Sequence, residues 1–285
     1  MAFFKNLRLK PTSINNPMKS NPTTSKNRRG FTMVELLVVV AIIAVLATLG
    51  FVGGRRAMDA AAKAKTVGNV KQLVATHQLF AIENNGAIVD GEKTFVNGQK
   101  RNWAQHLLVT LSNDLANDEN YKKSPGDTLA RSFGIFADPK SLKAAKGQLA
   151  KTGHNSWRTY AYNNRIGTYT PDSPEPIVYK AGAKFTHQVE APNKLILFSQ
   201  RVLDGDRYHP FLQPEDGKNG KLGFSIYNGS IMVGFYDGHV DMMTKINYPS
   251  AVGSGINPTT GAAYTRVQWN EYWWGRATEV PPPTL

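Results

Sequence analysis

From Leu36 to Gly54 the chain runs without a charged residue, and one carboxylate, Glu35, stands at the entrance of that run. A helix needs roughly 20 predominantly apolar residues to cross a bilayer, so this segment is of spanning length. An acid carried unpaired to the hydrocarbon centre costs on the order of a few kcal/mol, so a carboxylate kept at this edge implies a partner for it. Upstream, residues 1–30 are rich in Lys, Arg, Asn, Pro, Ser and Thr and end in Arg28-Arg29-Gly30. That composition reads as a disordered basic leader. The chain holds 34 basic and 21 acidic residues for a net charge of +13, and no cysteine. Seven of the basic residues and no acid lie in the leader, so the remainder carries 27 against 21, or +6. The excess belongs largely to the leader, and no dense basic patch with interleaved aromatics points to nucleic acid.

Hydropathy alone leaves a plain membrane anchor and a secretory signal peptide open. A signal peptide has a shorter apolar region with a small-residue cleavage site after it; here the run is long, begins with an acid and passes straight into a helical pattern. Lipoprotein attachment is excluded because there is no cysteine. Arg55, Arg56, Lys63 and Lys65 follow the span, so the charge bias between its two sides is nearly balanced and favours a cytoplasmic leader only weakly.

No proline occurs from Phe31 to Asn84. Val67, Val70, Val74, His77 and Ala81 recur at three- and four-residue steps, widened by Leu73 and Phe80, while Lys63, Lys65, Asn69, Lys71 and Gln72 fall largely elsewhere. The spacing predicts one helix over 31–85, with a membrane-spanning half, 31–54, and an amphipathic half that lays one stripe on a head. Asn84-Asn85-Gly86 supplies the stop. Gly50, Gly53 and Gly54 weaken the middle by up to about 1 kcal/mol each relative to alanine.

Residues 86–285 form the head. Helices are expected over 103–115 and 141–151, strands over 177–179 and 194–199, and a hairpin of 230–236 with 239–244. Its turn, Asp237-Gly238, reads as type I′. Asp204, Asp206 and Asp216 form an oxygen-rich stretch suited to calcium, without EF-hand spacing; a solvated turn is the competing reading. Trp269, Tyr272, Trp273 and Trp274 suit core packing, a subunit contact or a ligand platform. His77, His106, His154, His187, His209 and His239 lack metal-ligand spacing, and neither a Ser-His-Asp order nor a phosphate-cradling glycine loop appears. Nothing here reads as an enzyme.

Arg28-Arg29-Gly30-Phe31-Thr32-Met33-Val34-Glu35 with the following apolar run resembles the processing site of type IV prepilins and type II secretion pseudopilins. The resemblance implies cleavage between Gly30 and Phe31 by a prepilin peptidase, N-methylation of Phe31, and Glu35 as the assembly carboxylate. It further implies a pilin-like α+β fold: a long N-terminal helix, half membrane-spanning and half packed on the head, with an antiparallel sheet in an exported globular domain. The implied partners are like or related subunits in a homo-oligomeric or mixed filament, the peptidase, an inner-membrane assembly platform and the bilayer. The implied location is the inner membrane, leader in the cytoplasm and head outside, then a periplasmic or cell-surface filament. Some major pseudopilins carry a structural calcium ion in a late loop, the source of the calcium expectation for Asp204, Asp206 and Asp216. The competing function is a membrane-tethered exported module that binds a glycan or surface ligand.

In the head, Phe235-Tyr236-Asp237-Gly238-His239-Val240 resembles the end of the H-X9-DG prepilin-associated domain, with Tyr227 where that pattern has histidine. Phe136-Ala137-Asp138-Pro139-Lys140 resembles its Cys-Pro segment without the cysteine. Tyr160-Ala161-Tyr162-Asn163 and Ala191-Pro192-Asn193-Lys194-Leu195-Ile196-Leu197-Phe198 resemble two of its strands.

Overall fold

The computed structural model describes residues 30–89, 94–96, 99–101, 103–112, 134–142, 159–167, 182–201, 211–217, 222–224 and 226–278. Residues 1–29 of the leader, residues 143–151, the strand expected over 177–179, Asp204 and Asp206 lie outside the described residues. The chain divides into two compact units, one up to Gly53 and one from Gly54 onward.

The first unit consists, in its described part, of the N-terminal half of helix α1, Met33–Glu83. Its large apolar side chains from Met33 to Val52 are exposed. It is long and apolar enough to cross a membrane, and none of its most apolar window is buried.

The second unit takes the rest of α1 and the head. Helix α1 ends where expected. Asn85 and Gly86 take φ of 54° and 79°, and the Gly86 N–H donates to Ala81 O at 2.7 Å. Once the helix stops, this left-handed exit lets the Gly86 N–H satisfy the Ala81 carbonyl, one of the last-turn acceptors without a helical partner. The buried residues of α1 are Thr66, Asn69, Val70, Leu73, Val74, Thr76, His77 and Ala81. The stripe thus lies close to where its spacing put it, but Val67 is only half-buried, and Thr66, Asn69 and Thr76 are buried as well. Asn69, placed off the stripe, is buried, because its amide donates to Gly134 O at 3.3 Å and Ala137 O at 3.0 Å.

The other elements follow in chain order: β1 Thr94–Val96, β2 Gln99–Arg101, α2 Trp103–Leu111, β3 Tyr160–Asn163, β4 Ile196–Gln200, β5 Phe211–Leu212, β6 Ser230–Phe235, β7 Val240–Thr244 and α3 Arg266–Trp274. Strands β1 and β2 pair with each other, and the main sheet has the order β5-β3-β4-β6-β7. Strands β3, β4, β6 and β7 pair antiparallel, giving the α+β layout expected, but the edge strand β5 pairs with β3 in parallel. Strand β4 starts at Ile196 because Lys194 and Leu195 still close a turn on Ala191 O.

The core forms two layers, divided by side-chain alternation except in β4, where an irregularity between Ile196 and Phe198 turns these two residues to opposite faces. On one face, Tyr160, Tyr162 and Phe198 pack with Val70, Leu73 and Val74 of α1 and Trp103, Leu107 and Leu108 of α2. On the other, Ala161, Ile196, Ile231, Val233, Phe235 and Met243 pack with Trp269, Trp273 and Trp274 of α3. Helix α3 has clear local causes. Thr265 and Gln268 form a capping box, and Gly275 closes the C-terminus at φ 70°. The three tryptophans are therefore core, and the Trp273 indole N–H donates to Pro249 O at 2.8 Å.

The β6–β7 turn is not type I′. That turn needs positive φ at both central residues, and at Asp237-Gly238 only Gly238 has it, at 93°. Gly238 N–H donates to Phe235 O and Phe235 N–H to His239 O, both at 3.0 Å. The paired positive φ values occur instead at Asn228 (51°) and Gly229 (86°), where Ser230 N–H donates to Tyr227 O at 3.1 Å.

Candidate functional site

The N-terminal site is built by the first turn of α1. Gly30, Phe31 and Thr32 precede the helix, and Phe31 is 76% exposed. Thr32 N–H and Thr32 Oγ1–H both donate to Glu35 Oε2 at 2.8 Å, and Glu35 N–H donates to Thr32 Oγ1 at 3.2 Å. Thr32-Met33-Val34-Glu35 is thus a capping box, in which cap hydroxyl and third-position carboxylate satisfy each other's backbone donors. The partner sought for Glu35 in the sequence is, in this chain alone, Thr32. The T-x-x-E spacing is the sequence signal of this box. A carboxylate here also faces the positive end of the helix dipole. Only Oε2 is engaged; Oε1 has no hydrogen bond among the described residues.

Gly30 is not required by the chain's own packing. A Cβ there would meet nothing within 4 Å, and its φ lies outside the left-handed region.

The two head positions that depart from the H-X9-DG pattern, Asp138 and Tyr227, meet each other and α1. Asp138 is fully buried. Its Oδ1 accepts from Thr66 Oγ1, its Oδ2 accepts from Ser141 N–H at 2.7 Å, and the Tyr227 hydroxyl lies 2.9 Å from Thr66 Oγ1 and 3.3 Å from Asp138 Oδ1. Burial, the largest cause, pushes the Tyr227 phenol up to about 12. Lys140 lies 4.5 Å over the Tyr227 ring and pairs with Asp59 at 2.9 Å. This cluster joins segment 134–142 to α1; it holds no reacting geometry.

Asp216 is buried, with Arg201 Nη2 at 3.0 Å from Oδ1 and Gln213 N–H donating to Oδ2 at 2.8 Å. Its companions in the calcium expectation, Asp204 and Asp206, are outside the described residues. Among the described residues, no group of three or more acidic, histidine or cysteine side chains could hold a metal. His239 pairs with Asp237 at 2.5 Å and stacks on Phe235 at a 4.1 Å centroid distance, an exposed arrangement beside the turn.

Comparison with protein families places the prokaryotic N-terminal methylation motif on residues 25–51. Searches of curated proteins and of solved structures returned no match. The matched stretch contains Gly30, Phe31, the Thr32–Glu35 box and most of the apolar run. Residues 25–51 therefore carry the prokaryotic N-terminal methylation motif, the match the resemblance to prepilins led us to expect.

Proposed function

We propose that the chain is a structural subunit of a type IV pilus or type II secretion filament, cut between Gly30 and Phe31 and N-methylated on Phe31. The observation that carries this reading is the methylation motif at residues 25–51, set on an apolar helix whose side chains are exposed. A lone helix leaves that surface unfilled; lipid fills it in the monomer, and like helices fill it in a fibre. Its partners are then copies of itself or related subunits, a prepilin peptidase, the inner-membrane assembly platform and the bilayer.

Glu35 is the assembly residue in this reading. Its free Oε1 accepts the methylated amine of Phe31 from a neighbouring subunit, while Oε2 keeps the helix start closed. Such a pair offsets the burial of each charge and fixes axial register. The tethered binding module loses its best support, because Trp269, Trp273 and Trp274 are spent on the core.

Glu35→Gln is the discriminating variant, since glutamine also serves in a capping box but carries no charge. Mass spectrometry of the N-terminus is expected to show normal cleavage and methylation. Cross-linking in cells is expected to show the self-oligomer ladder reduced at least about tenfold, the equivalent of losing one modest ion pair. A ladder equal to that of the unaltered chain would remove the ion pair from the account. Gly30→Leu is expected to leave the leader attached.

A further inference from the structure

Strand β7 ends the main sheet, with β6 on one side and, among the described residues, no strand on the other. Such an edge offers unpaired N–H and C=O groups to any other extended chain. Which groups it offers follows from the hairpin. Phe235 N–H donates to His239 O, and bonded pairs alternate with non-bonded ones along an antiparallel ladder. In the register Gly234↔Val240, Val233↔Asp241, Met232↔Met242, Ile231↔Met243 and Ser230↔Thr244, the bonded pairs are therefore those of Asp241 and Met243. Val240, Met242 and Thr244 turn their backbone groups away from β6. Met232 N–H agrees with this phase, since it donates to Gln200 Oε1 at 2.8 Å, on the β4 side.

The middle donor of the edge is already occupied. Met242 N–H donates to Oδ1 of Asp241, an exposed residue, at 2.7 Å. At the far end, Thr244 O accepts from Asn247 N–H at 3.1 Å. Val240 N–H and C=O, Met242 C=O and Thr244 N–H have no hydrogen bond among the described residues. A second β7 running antiparallel would use Val240, Met242 and Thr244 of both copies. Every register that makes more than one bonded pair from these positions includes Met242, because it lies between the other two. A group on the Met242 N–H therefore obstructs all of these registers at once. Aspartate is also a residue that strands disfavour, so its place in β7 is not explained by strand propensity.

We propose that Asp241 is an intramolecular cap on β7 that keeps a second copy of this chain from adding to the sheet edge. The carboxylate competes with an incoming carbonyl for one donor, and it is held next to that donor by the chain itself. The cap works in the same way whatever filament or anchor role the N-terminal helix serves.

The test compares the full chain in detergent micelles, where heads meet in any orientation, with its Asp241→Ala and Asp241→Asn variants. Asparagine keeps an Oδ1 acceptor for Met242 N–H and loses only the charge. Light scattering is expected to give the Ala variant a protein mass at least about twofold that of the unaltered chain, as for a pair of copies. The Asn variant is expected to match the unaltered chain. Association through the apolar helix alone would be equal in all three. The chain has no cysteine, so Lys245→Cys places a single spin label beside the edge. In the registers that include Met242, the two labelled positions lie about 14–27 Å apart along the paired strands, from roughly 3.4 Å per residue. Double electron–electron resonance is expected to show this distance in the Ala variant and not in the labelled chain that keeps Asp241. An Ala variant with the mass of the unaltered chain would overturn the cap. An Asn variant that associates as strongly as the Ala variant would overturn it too, by assigning the protection to charge. An associated Ala variant without the short distance would do the same, by placing the contact elsewhere.

Discussion

His77 shows how one residue on an otherwise apolar stripe sets a pH limit. Its Nε2 lies 3.1 Å from the Tyr162 hydroxyl, which donates its only proton to Val89 O at 2.9 Å. Nε2 must then carry the imidazole proton, and Nδ1 is left bare and buried without a hydrogen-bond partner. Burial lowers the His77 pKa from 6.5 to about 3. A base whose folded value is depressed contributes stability above its unfolded value, and that contribution is lost as pH falls from 6.5 toward 3. The full cost of charging it inside the head is on the order of 4–5 kcal/mol. Urea midpoints measured between pH 7 and pH 5 are expected to fall with pH, ahead of the carboxylates' own range. His77→Phe is expected to flatten that slope; an unchanged slope would assign it to another group. Position 77 was legible as part of the stripe from its spacing, whereas its missing partner depends on where Val89 and Tyr162 come to rest.

At the scale of elements, the contact between α1 and the sheet hangs on Gly234. A Cβ at that position would lie 2.3 Å from Val70 Cγ1 and 3.4 Å from Val74 Cγ2. Helix and strand backbones are as close there as a missing side chain permits, and an isolated glycine inside a strand pattern is the sequence sign of such an approach. Gly234→Val is expected to cost about 1–3 kcal/mol or more through overpacking, read as a lower thermal midpoint of the head. Gly229→Ala tests a different cause at a nearby turn. Its Cβ would meet nothing, so only the positive φ of 86° opposes it, and a loss of about 1 kcal/mol is expected. The α3 helix was missed in the sequence although Thr265-x-x-Gln268 and Gly275 announce both its ends. Four aromatics in six residues masked the pattern, because tryptophans at 269, 273 and 274 fill one side of a short helix only once the sheet stands opposite.

At the scale of the molecule, the two units differ in the surface they expose. Residues from Met33 to Val52 expose apolar side chains, and the unit from Gly54 onward buries two aromatic-rich layers around one sheet. With no cysteine, the head's stability rests on that core and on buried polar links such as Arg201–Asp216, whose side chains are 3% and 5% exposed. Breaking a buried pair from one side strands the other charge, so Arg201→Met is expected to cost about 3–5 kcal/mol. Because that arginine already balances Asp216, adding EDTA is expected to leave the thermal midpoint of the unaltered head where it was. A drop would return calcium to this region through Asp204 and Asp206.

The linear order of residues determined the helix and its two characters, because a charge-free run of spanning length and a three- and four-residue apolar spacing are local facts that no later fold can rewrite. It also determined the methylation motif, whose parts are contiguous. Tertiary structure decided the rest: that Asn69 and Thr66 are buried, that Tyr227 reaches Asp138 from 89 residues away, and that β5 closes the sheet in parallel. Each of these depends on what lies opposite, and a buried polar group is stable only against a partner the chain has carried to it from far along its length.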